Sequence, residues 1–208
     1  AQYQARSLLM TQKLRILAVA LAVVAAIALP AAAQDTSILK PPKGSKVALV
    51  VFEDLQCPDC ARAAPLLHEA VKAYKIPLVR YDFPLPMHNW AFDAHVIARW
   101  FDSKSKAIGN EFREYIFENQ SQITREKLRG YAERFAAQKK LALPFLLDPT
   151  GALAAKVKAD VNLGKRTGVS HTPTIYVVSE STTGKPFVEV VDRSQLFQLI
   201  DEMKRAAR

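Results

Sequence analysis

The chain has 208 residues, with 29 Lys and Arg against 20 Asp and Glu, and its formal net charge at pH 7 is +9. Half of the residues are hydrophobic and 24% are charged, which is the composition of an ordinary globular protein, and the length suffices for one domain with an insertion. Beyond its N-terminal segment the chain has no internal repeat, no low-complexity stretch and no recognisable nucleic-acid-binding motif, which argues against a repeat protein and against a nucleic-acid partner.

Residues 1–33 are predicted to be an N-terminal extension followed by a secretory signal peptide. Lys13 and Arg15 supply its basic part, residues 16–29 are apolar and uncharged, and an A-x-A cleavage site ends at Ala33. The alternative is an uncleaved membrane anchor, although the apolar stretch is shorter than the ~20 residues that a spanning helix needs. The segment predicts a periplasmic or secreted protein, which is membrane-anchored if the signal is not cleaved. Its cysteines would then meet an oxidising environment.

The next segment predicts a strand, a turn and a helix. Residues 46–52 form a continuous apolar run, typical of a strand that is buried on both faces. A short turn follows, and Pro58 occupies a first-turn helical position, where its missing N–H costs nothing. Cys57 is therefore expected at a helix N-terminus, exposed and with a lowered pKa, because free N–H groups and the helix dipole stabilise a thiolate there. Cys60 lies one turn further on and is expected to be the resolving thiol.

Cys57 and Cys60 are the only cysteines of the chain. They cannot form a four-cysteine zinc site, and the loop between them is too short to constrain the unfolded chain much, so the pair is best suited to thiol–disulfide exchange. Two other interpretations stay open. One is a zinc site completed by His88 and His171, although we predict no metal; the other is a peptide-binding chaperone in which the cysteines are incidental.

The remaining periodic segments predict a second strand, a block of three helices, and then a helix, a strand hairpin and a closing helix. In chain order they are residues 76–83, 90–101, 108–118, 125–138, 153–166, 174–178, 187–191 and 194–206. Gly168 is expected to end the helix that precedes the hairpin.

Two segments of the chain resemble the motifs of a known family. The segment Glu53-Asp54-Leu55-Gln56-Cys57-Pro58-Asp59-Cys60 resembles the active-site segment of the DsbA-like thiol:disulfide oxidoreductases, within the thioredoxin superfamily. The segment Gly168-Val169-Ser170-His171-Thr172-Pro173-Thr174 resembles the second motif of that family, in which the proline follows a cis peptide bond. Between them, Phe83-Pro84-Leu85 with His88, Ala91 and Ala94 resembles the beginning of the family's inserted helical domain.

The resemblance covers roughly residues 40–205 and implies an α/β fold. The expected architecture is a thioredoxin-like domain over residues 34–208, with a helical insertion at about residues 86–147. In the family, the residue before the cis-proline touches the cysteine sulfurs and pairs its backbone with the substrate. The resemblance therefore implies substrate-binding roles for Thr172 and Pro173, beside catalytic Cys57 and Cys60.

The chain departs from the family pattern at two positions. Many members carry a buried acid six residues before the first cysteine, where this chain has Val51, and Glu53 or Asp54 are the candidate substitutes. His171 stands where the family usually has glycine, and it is expected to alter charge or peptide access.

We expect Pro58, Asp59, Glu53 and His171 to modulate the active site. Asp59 lies between the cysteines, so its carboxylate is expected to disfavour the Cys57 thiolate and to restrain the oxidising power of the disulfide.

The resulting functional prediction is a thiol:disulfide oxidoreductase that introduces disulfides into exported, cysteine-containing proteins. It would need no bound cofactor, and a membrane redox partner, either a quinone-linked oxidase or an electron donor, would restore the cysteine pair. The alternatives are a periplasmic reductase or isomerase, which runs the same chemistry in another direction, and the non-catalytic chaperone.

Overall fold

The structure is a computed structural model and describes residues 34–181 and 185–207. The predicted signal peptide lies outside these residues. A four-stranded sheet forms the centre, with the strand order β2-β1-β3-β4. β1 and β2 are parallel, whereas β3 is antiparallel to β1 and β4 is antiparallel to β3. The strands are β1 Val47–Glu53, β2 Leu78–Asp82, β3 Thr174–Ser179 and β4 Phe187–Glu189.

All seven residues of β1 are buried, which confirms the predicted strand with two covered faces. Successive side chains of a strand point to opposite faces, and the two apolar clusters beside β1 follow this alternation. Leu49 and Val51 pack in the cluster that also holds Leu67 of the first helix. Val50 and Phe52 pack on the other side, in the cluster that holds Phe83, Val169 and Tyr176.

Six α-helices surround the sheet in the described part of the chain, close to the predicted positions. They are α1 Pro58–Tyr74, α2 Ala91–Asp102, α3 Lys106–Asn119, α4 Leu128–Gln138, α5 Ala152–Thr167 and α6 Leu196–Ala206. Gly168 ends α5 with a left-handed backbone (φ 91°), as predicted. The helices α2, α3 and α4 follow β2 along the chain and share a third apolar cluster, in which the rings of Phe101, Phe112 and Phe135 contact one another.

Several boundaries differ from the prediction: β2 is shorter than residues 76–83, α3 begins two residues before residue 108, and three further changes lie around α4, β4 and α6. Residues 125–127 form a turn before α4, because Thr124 closes that turn by accepting the Lys127 N–H on its side chain. β4 ends at Glu189, and residues 193–195 form a 3₁₀ turn before α6 begins. Asp192 organises this turn, because its carboxylate accepts hydrogen bonds from the backbone N–H and the hydroxyl of Ser194.

A buried charge network lies where β1 and β2 meet α2, α3 and α5. Arg113 makes two hydrogen bonds of 2.9 Å with Asp102 and lies 3.5 Å from Asp82. Arg80 donates two hydrogen bonds of 2.9 Å to the carboxylate of Glu53. Further charged members are Arg99, Glu114 and Asp160, and the ring of His95 is hydrogen-bonded to Asp82. Because unpaired buried charges are costly, this network ties the sheet to the helices through groups that depend on one another.

Candidate active site

The two cysteines lie at the start of α1, as predicted. Cys57 is the N-cap residue, with an extended backbone (φ −75°, ψ 119°), Pro58 follows in the first turn, and Cys60 lies one turn in. Both are free thiols. Cys57 is only 7% exposed and Cys60 2%, so the expectation of an exposed Cys57 is wrong. The segment around Pro173 covers Cys57, whose Sγ lies 3.4 Å from the backbone oxygen of Thr172.

The surroundings shift the pKa values of the two thiols in opposite directions. The pKa of Cys57 falls from 9.0 to about 5, chiefly because the Cys60 thiol hydrogen-bonds to its sulfur; backbone N–H groups of Cys60 and Asp59 also help, against the opposing effect of burial. Burial is the main cause that raises the pKa of Cys60, and the charges of Cys57 and Glu53 add to it. Near neutral pH, Cys57 is therefore the thiolate and Cys60 remains a thiol.

The Thr172–Pro173 peptide bond is cis, as the resemblance implied. Thr172 is buried, and its hydroxyl oxygen has no hydrogen-bond partner within the residues that the structure describes. The same hydroxyl is one of the groups that lower the pKa of Cys57, so it is placed to donate to the thiolate once that forms. Thr172 thus contacts the sulfur of Cys57 through its backbone, and its side chain carries a buried hydroxyl that favours the thiolate.

Asp59 faces the solvent side of the site, and it is not an isolated carboxylate. Its Oδ1 accepts hydrogen bonds from Arg193 at 2.7 Å and from Arg62 at 3.1 Å. These arginines, Arg193 foremost, hold the pKa of Asp59 below its ordinary value. Asp59 and Arg193 line a cavity of about 250 Å³ together with exposed His171 and half-buried Pro173.

The candidate acids on the interior side are both engaged. Glu53 is paired with Arg80 inside the buried network, away from the solvent face of the site. The carboxylate of Asp54 accepts hydrogen bonds from the backbone of Gln56 and Leu85, and from Nδ1 of His88 at 2.7 Å. The backbone N–H of Asp54 lies 3.4 Å from Sγ of Cys60. Asp54 thus touches Cys60 through its main chain.

The two histidines considered as zinc ligands lie in different surroundings. His88 is paired with Asp54, and His171 lies on the exposed side of the site. Over residues 34–181 and 185–207, no group of three or more His, Cys, Asp and Glu side chains is arranged to hold a metal ion.

Two residues that sequence reasoning missed hold the turn before Cys57. The side-chain nitrogen of Gln120 donates to the backbone oxygens of Leu55 at 2.8 Å and of Cys57 at 3.1 Å. The ring of fully buried His95 accepts the N–H of Leu55 on Nε2, so its Nδ1 carries the proton that bonds Asp82. The sequence indicates only that His95 lies on the same buried face of α2 as Ala91. No sequence pattern marks Gln120 as a residue of the site.

A thiolate cysteine at a helix N-terminus, a buried partner thiol and a cis-proline loop over them define a thioredoxin-like redox centre. A family model described as Thioredoxin matches residues 42–200. The chain therefore belongs to this thioredoxin family.

Solved structures with the same fold include three bacterial proteins. The chain matches alpha-DsbA1 of Wolbachia pipientis with a TM-score of 0.65 at 14% identity, over 83% of this chain and 96% of that one. It matches DsbA2 of Pseudomonas aeruginosa with a TM-score of 0.56 at 18% identity, over 79% and 92% of the two chains. A periplasmic thioredoxin-like protein of Salmonella enterica serovar Typhimurium gives 0.61 at 21% identity, over 78% and 87%. These likenesses confirm the predicted thioredoxin-like fold, and the family match agrees with them.

Among curated sequences, the chain is 26% identical over 163 residues to the Na(+)/H(+) antiporter NhaA 1 of Salinispora arenicola. The match takes in 76% of this chain but 24% of that protein, so the chain spans about a quarter of the length of this relative. In the described residues, no helix is both long and apolar enough to cross a membrane.

Proposed function

We propose that the protein introduces disulfides into exported, cysteine-containing proteins by thiol–disulfide exchange at Cys57 and Cys60. The observation that carries the proposal is the placement of Cys57 at the N-terminus of α1 with Cys60 buried one turn away, which shifts the pKa values of the two thiols in opposite directions. A stabilised Cys57 thiolate stabilises the dithiol form, and so makes the disulfide form a better oxidant. A pKa of about 5 lies between those of thioredoxin (~7) and DsbA (~3.5), on the oxidising side of the former.

The reaction begins with the Cys57–Cys60 disulfide. A substrate thiolate attacks Sγ of Cys57, a mixed disulfide forms, and Cys60 leaves and takes up a proton. A second substrate thiolate attacks the substrate sulfur of the mixed disulfide, which releases Cys57 as a thiolate. The substrate loses two electrons and the enzyme gains them. The low pKa of Cys57 favours its departure in this second step, because a thiol of lower pKa leaves faster.

Thr172 and Pro173 would bind the substrate beside Cys57. The cavity next to Pro173 leaves room for residues that flank the substrate cysteine, and His171 and Arg193 line it. After each turnover a membrane redox partner, quinone-linked in the oxidising direction, would accept the electrons. The proposed setting is periplasmic or extracellular, over a domain of residues 34–208 that carries the insertion at 86–147. The exchange itself uses side chains alone and calls for no bound cofactor.

The deciding experiment equilibrates the purified protein with glutathione buffers and measures the fraction of the Cys57–Cys60 disulfide. We expect a reduction potential more positive than about −220 mV, well above the roughly −270 mV of thioredoxin. A value near that of thioredoxin would instead identify a reductase. Complete inactivity in both insulin reduction and peptide oxidation would favour a chaperone.

Two serine variants test the roles of the cysteines. Cys57→Ser should abolish exchange. Cys60→Ser should accumulate mixed disulfides, because the Cys57 thiolate can still attack a substrate disulfide while the Cys60 thiol that would displace the substrate from Cys57 is absent. Mixed disulfides that accumulate only in Cys57→Ser would reverse the two roles.

A further inference from the structure

Arg193 reaches from the turn after β4 to the residue between the two cysteines. Its Nη2 donates to Oδ1 of Asp59 at 2.7 Å, and its Nη1 lies 3.3 Å from the backbone oxygen of the same residue. The guanidinium thus holds Asp59 by its side chain and its main chain at once. The contact joins two segments that are 134 residues apart in sequence.

The position of Arg193 is built into the fold. Arg193 opens the 3₁₀ turn that Asp192 caps through Ser194, and its side chain is 36% exposed. Arg62, the other partner of Asp59, belongs to α1 itself and is 69% exposed. Solvent screens the more exposed pair more strongly, so Arg193 is the stronger of the two partners.

The charge of Asp59 affects how readily Cys57 forms a thiolate. It lies between the cysteines, and an uncompensated carboxylate there would oppose the negative charge on Cys57. Arg193 offsets that charge. Its second bond also steadies the first turn of α1, whose N–H groups at Asp59 and Cys60 stabilise the sulfur of Cys57.

We propose that Arg193 is a positioning residue for the exchange reaction: through Asp59, its guanidinium favours the thiolate of Cys57 and hence the dithiol form of the enzyme. The inference rests on the proposed function for its consequence, a more oxidising disulfide. The effect on Cys57 itself, a lower free energy of forming the thiolate, applies to exchange in either direction.

The test compares Arg193→Gln with Arg62→Gln, which removes the more exposed arginine from the same carboxylate. Thiolate absorbance against pH gives the Cys57 pKa, and glutathione equilibria give the redox equilibrium constant. In Arg193→Gln the pKa should rise by about 0.3–0.5 unit and the equilibrium constant should shift about two- to threefold towards the disulfide, as for loss of one partly exposed ion pair. Arg62→Gln should shift the equilibrium constant by less than about 1.5-fold.

Asp59→Asn decides whether Arg193 acts through Asp59. In that background, Arg193→Gln should lose at least half of its effect on the pKa of Cys57. An unchanged or lower pKa in Arg193→Gln would overturn the proposal, as would an equal effect in both backgrounds or an equal effect of Arg62→Gln. The absorbance titration needs no substrate, so it stands even if the protein proves to catalyse no exchange.

Discussion

The active-site turn lies between two regions whose charged side chains differ in exposure to solvent. On the solvent side, Asp59 shares one carboxylate oxygen between Arg62 and Arg193, and all three side chains are a third or more exposed. On the interior side, Glu53 and Arg113 belong to a network whose side chains are 3% and 2% exposed. Cys57 takes its hydrogen-bond partners from Cys60, from the first turn of α1 and from the Thr172 loop, and Cys60 is buried.

The difference shows which charges adjust the chemistry and which hold the fold. An exposed ion pair contributes ~0.2–1 kcal/mol, so it can change without unfolding the protein and still act on a sulfur beside it. A buried pair that loses one partner leaves an uncompensated charge, at a cost of ~3–5 kcal/mol. Function is therefore expected to respond to substitutions on the solvent side, and stability to those on the interior side.

The largest effect on stability is expected from Arg113→Met. The substitution leaves Asp102 and Asp82 without the guanidinium that lies between them, and it should lower the free energy of unfolding by about 3–5 kcal/mol. Arg193→Gln should lower it by less than about 1 kcal/mol. Urea denaturation of both variants measures the two values. Similar losses in the two variants would break the distinction between the two regions.

The sequence predicted the elements and the cysteine pair, because both follow local rules. The strand before Cys57 is apolar at every position from Val47 to Phe52, and the helix signal begins with Pro58 in the first turn. The network around Arg113 was not predicted, because its members come from β1, β2, α2, α3 and α5 and no spacing joins them. Arg193 was missed for the same reason: its partner lies 134 residues away.

The exposure of Cys57 was predicted wrongly for a related reason. A helix N-terminus is often open to solvent, but here a segment from the far end of the chain, Thr172 and Pro173, lies over it. The helix rule gives the direction of the pKa shift, whereas the burial depends on tertiary contacts that the local sequence does not contain.

The second prediction concerns the pH dependence of the dithiol form. The folded-state pKa of Cys57, about 5, is below the unfolded value near 9.0, so the thiolate stabilises the folded dithiol form fully above the higher value. This stabilisation is lost as the pH falls through about 5. At about 1.4 kcal/mol per pH unit, it should reach roughly 2–3 kcal/mol at pH 7 relative to pH 5. Unfolding of the reduced protein at both pH values checks this.

The control for that measurement is the same unfolding experiment on reduced Cys57→Ser. This variant has no group that titrates at the position, so the extra gain in stability between pH 5 and pH 7 should vanish. An equal gain in the variant would assign the effect to other groups, such as the carboxylates of the buried network.

Thr172→Val should have a smaller effect. The substitution removes the buried hydroxyl but keeps the volume, and the thiolate of Cys57 loses one donor. Hydrogen bonds to charged groups contribute ~1.5–3 kcal/mol. Because sulfur is a weaker acceptor than oxygen, a bond to the thiolate should contribute less than this. The pKa of Cys57 should therefore rise by about 0.5–1 unit. The absorbance titration measures the change. An unchanged pKa would mean that the hydroxyl does not reach the thiolate.

The smallest effect is expected from Asp59→His. The sequence alone predicts a more oxidising disulfide, by about 30 mV for each unit by which the pKa of Cys57 falls. The direction should hold, because the substitution removes a carboxylate and leaves Arg193 uncompensated. The size should fall to roughly 10–20 mV, because two arginines already offset much of the charge of Asp59. The histidine would also face both arginines, which disfavours a second positive charge there.

Asp59→Asn separates the loss of the carboxylate from the gain of an imidazolium. At pH 7 the two variants should have the same reduction potential within about 5 mV, since a neutral histidine and an asparagine carry the same charge. At pH 5.5 the histidine variant should become the more oxidising of the two as its ring takes up a proton. A potential at or below that of the unmodified protein in both variants would show that the solvent-side charges do not reach the sulfur of Cys57. The contrast between the two regions would then concern stability alone.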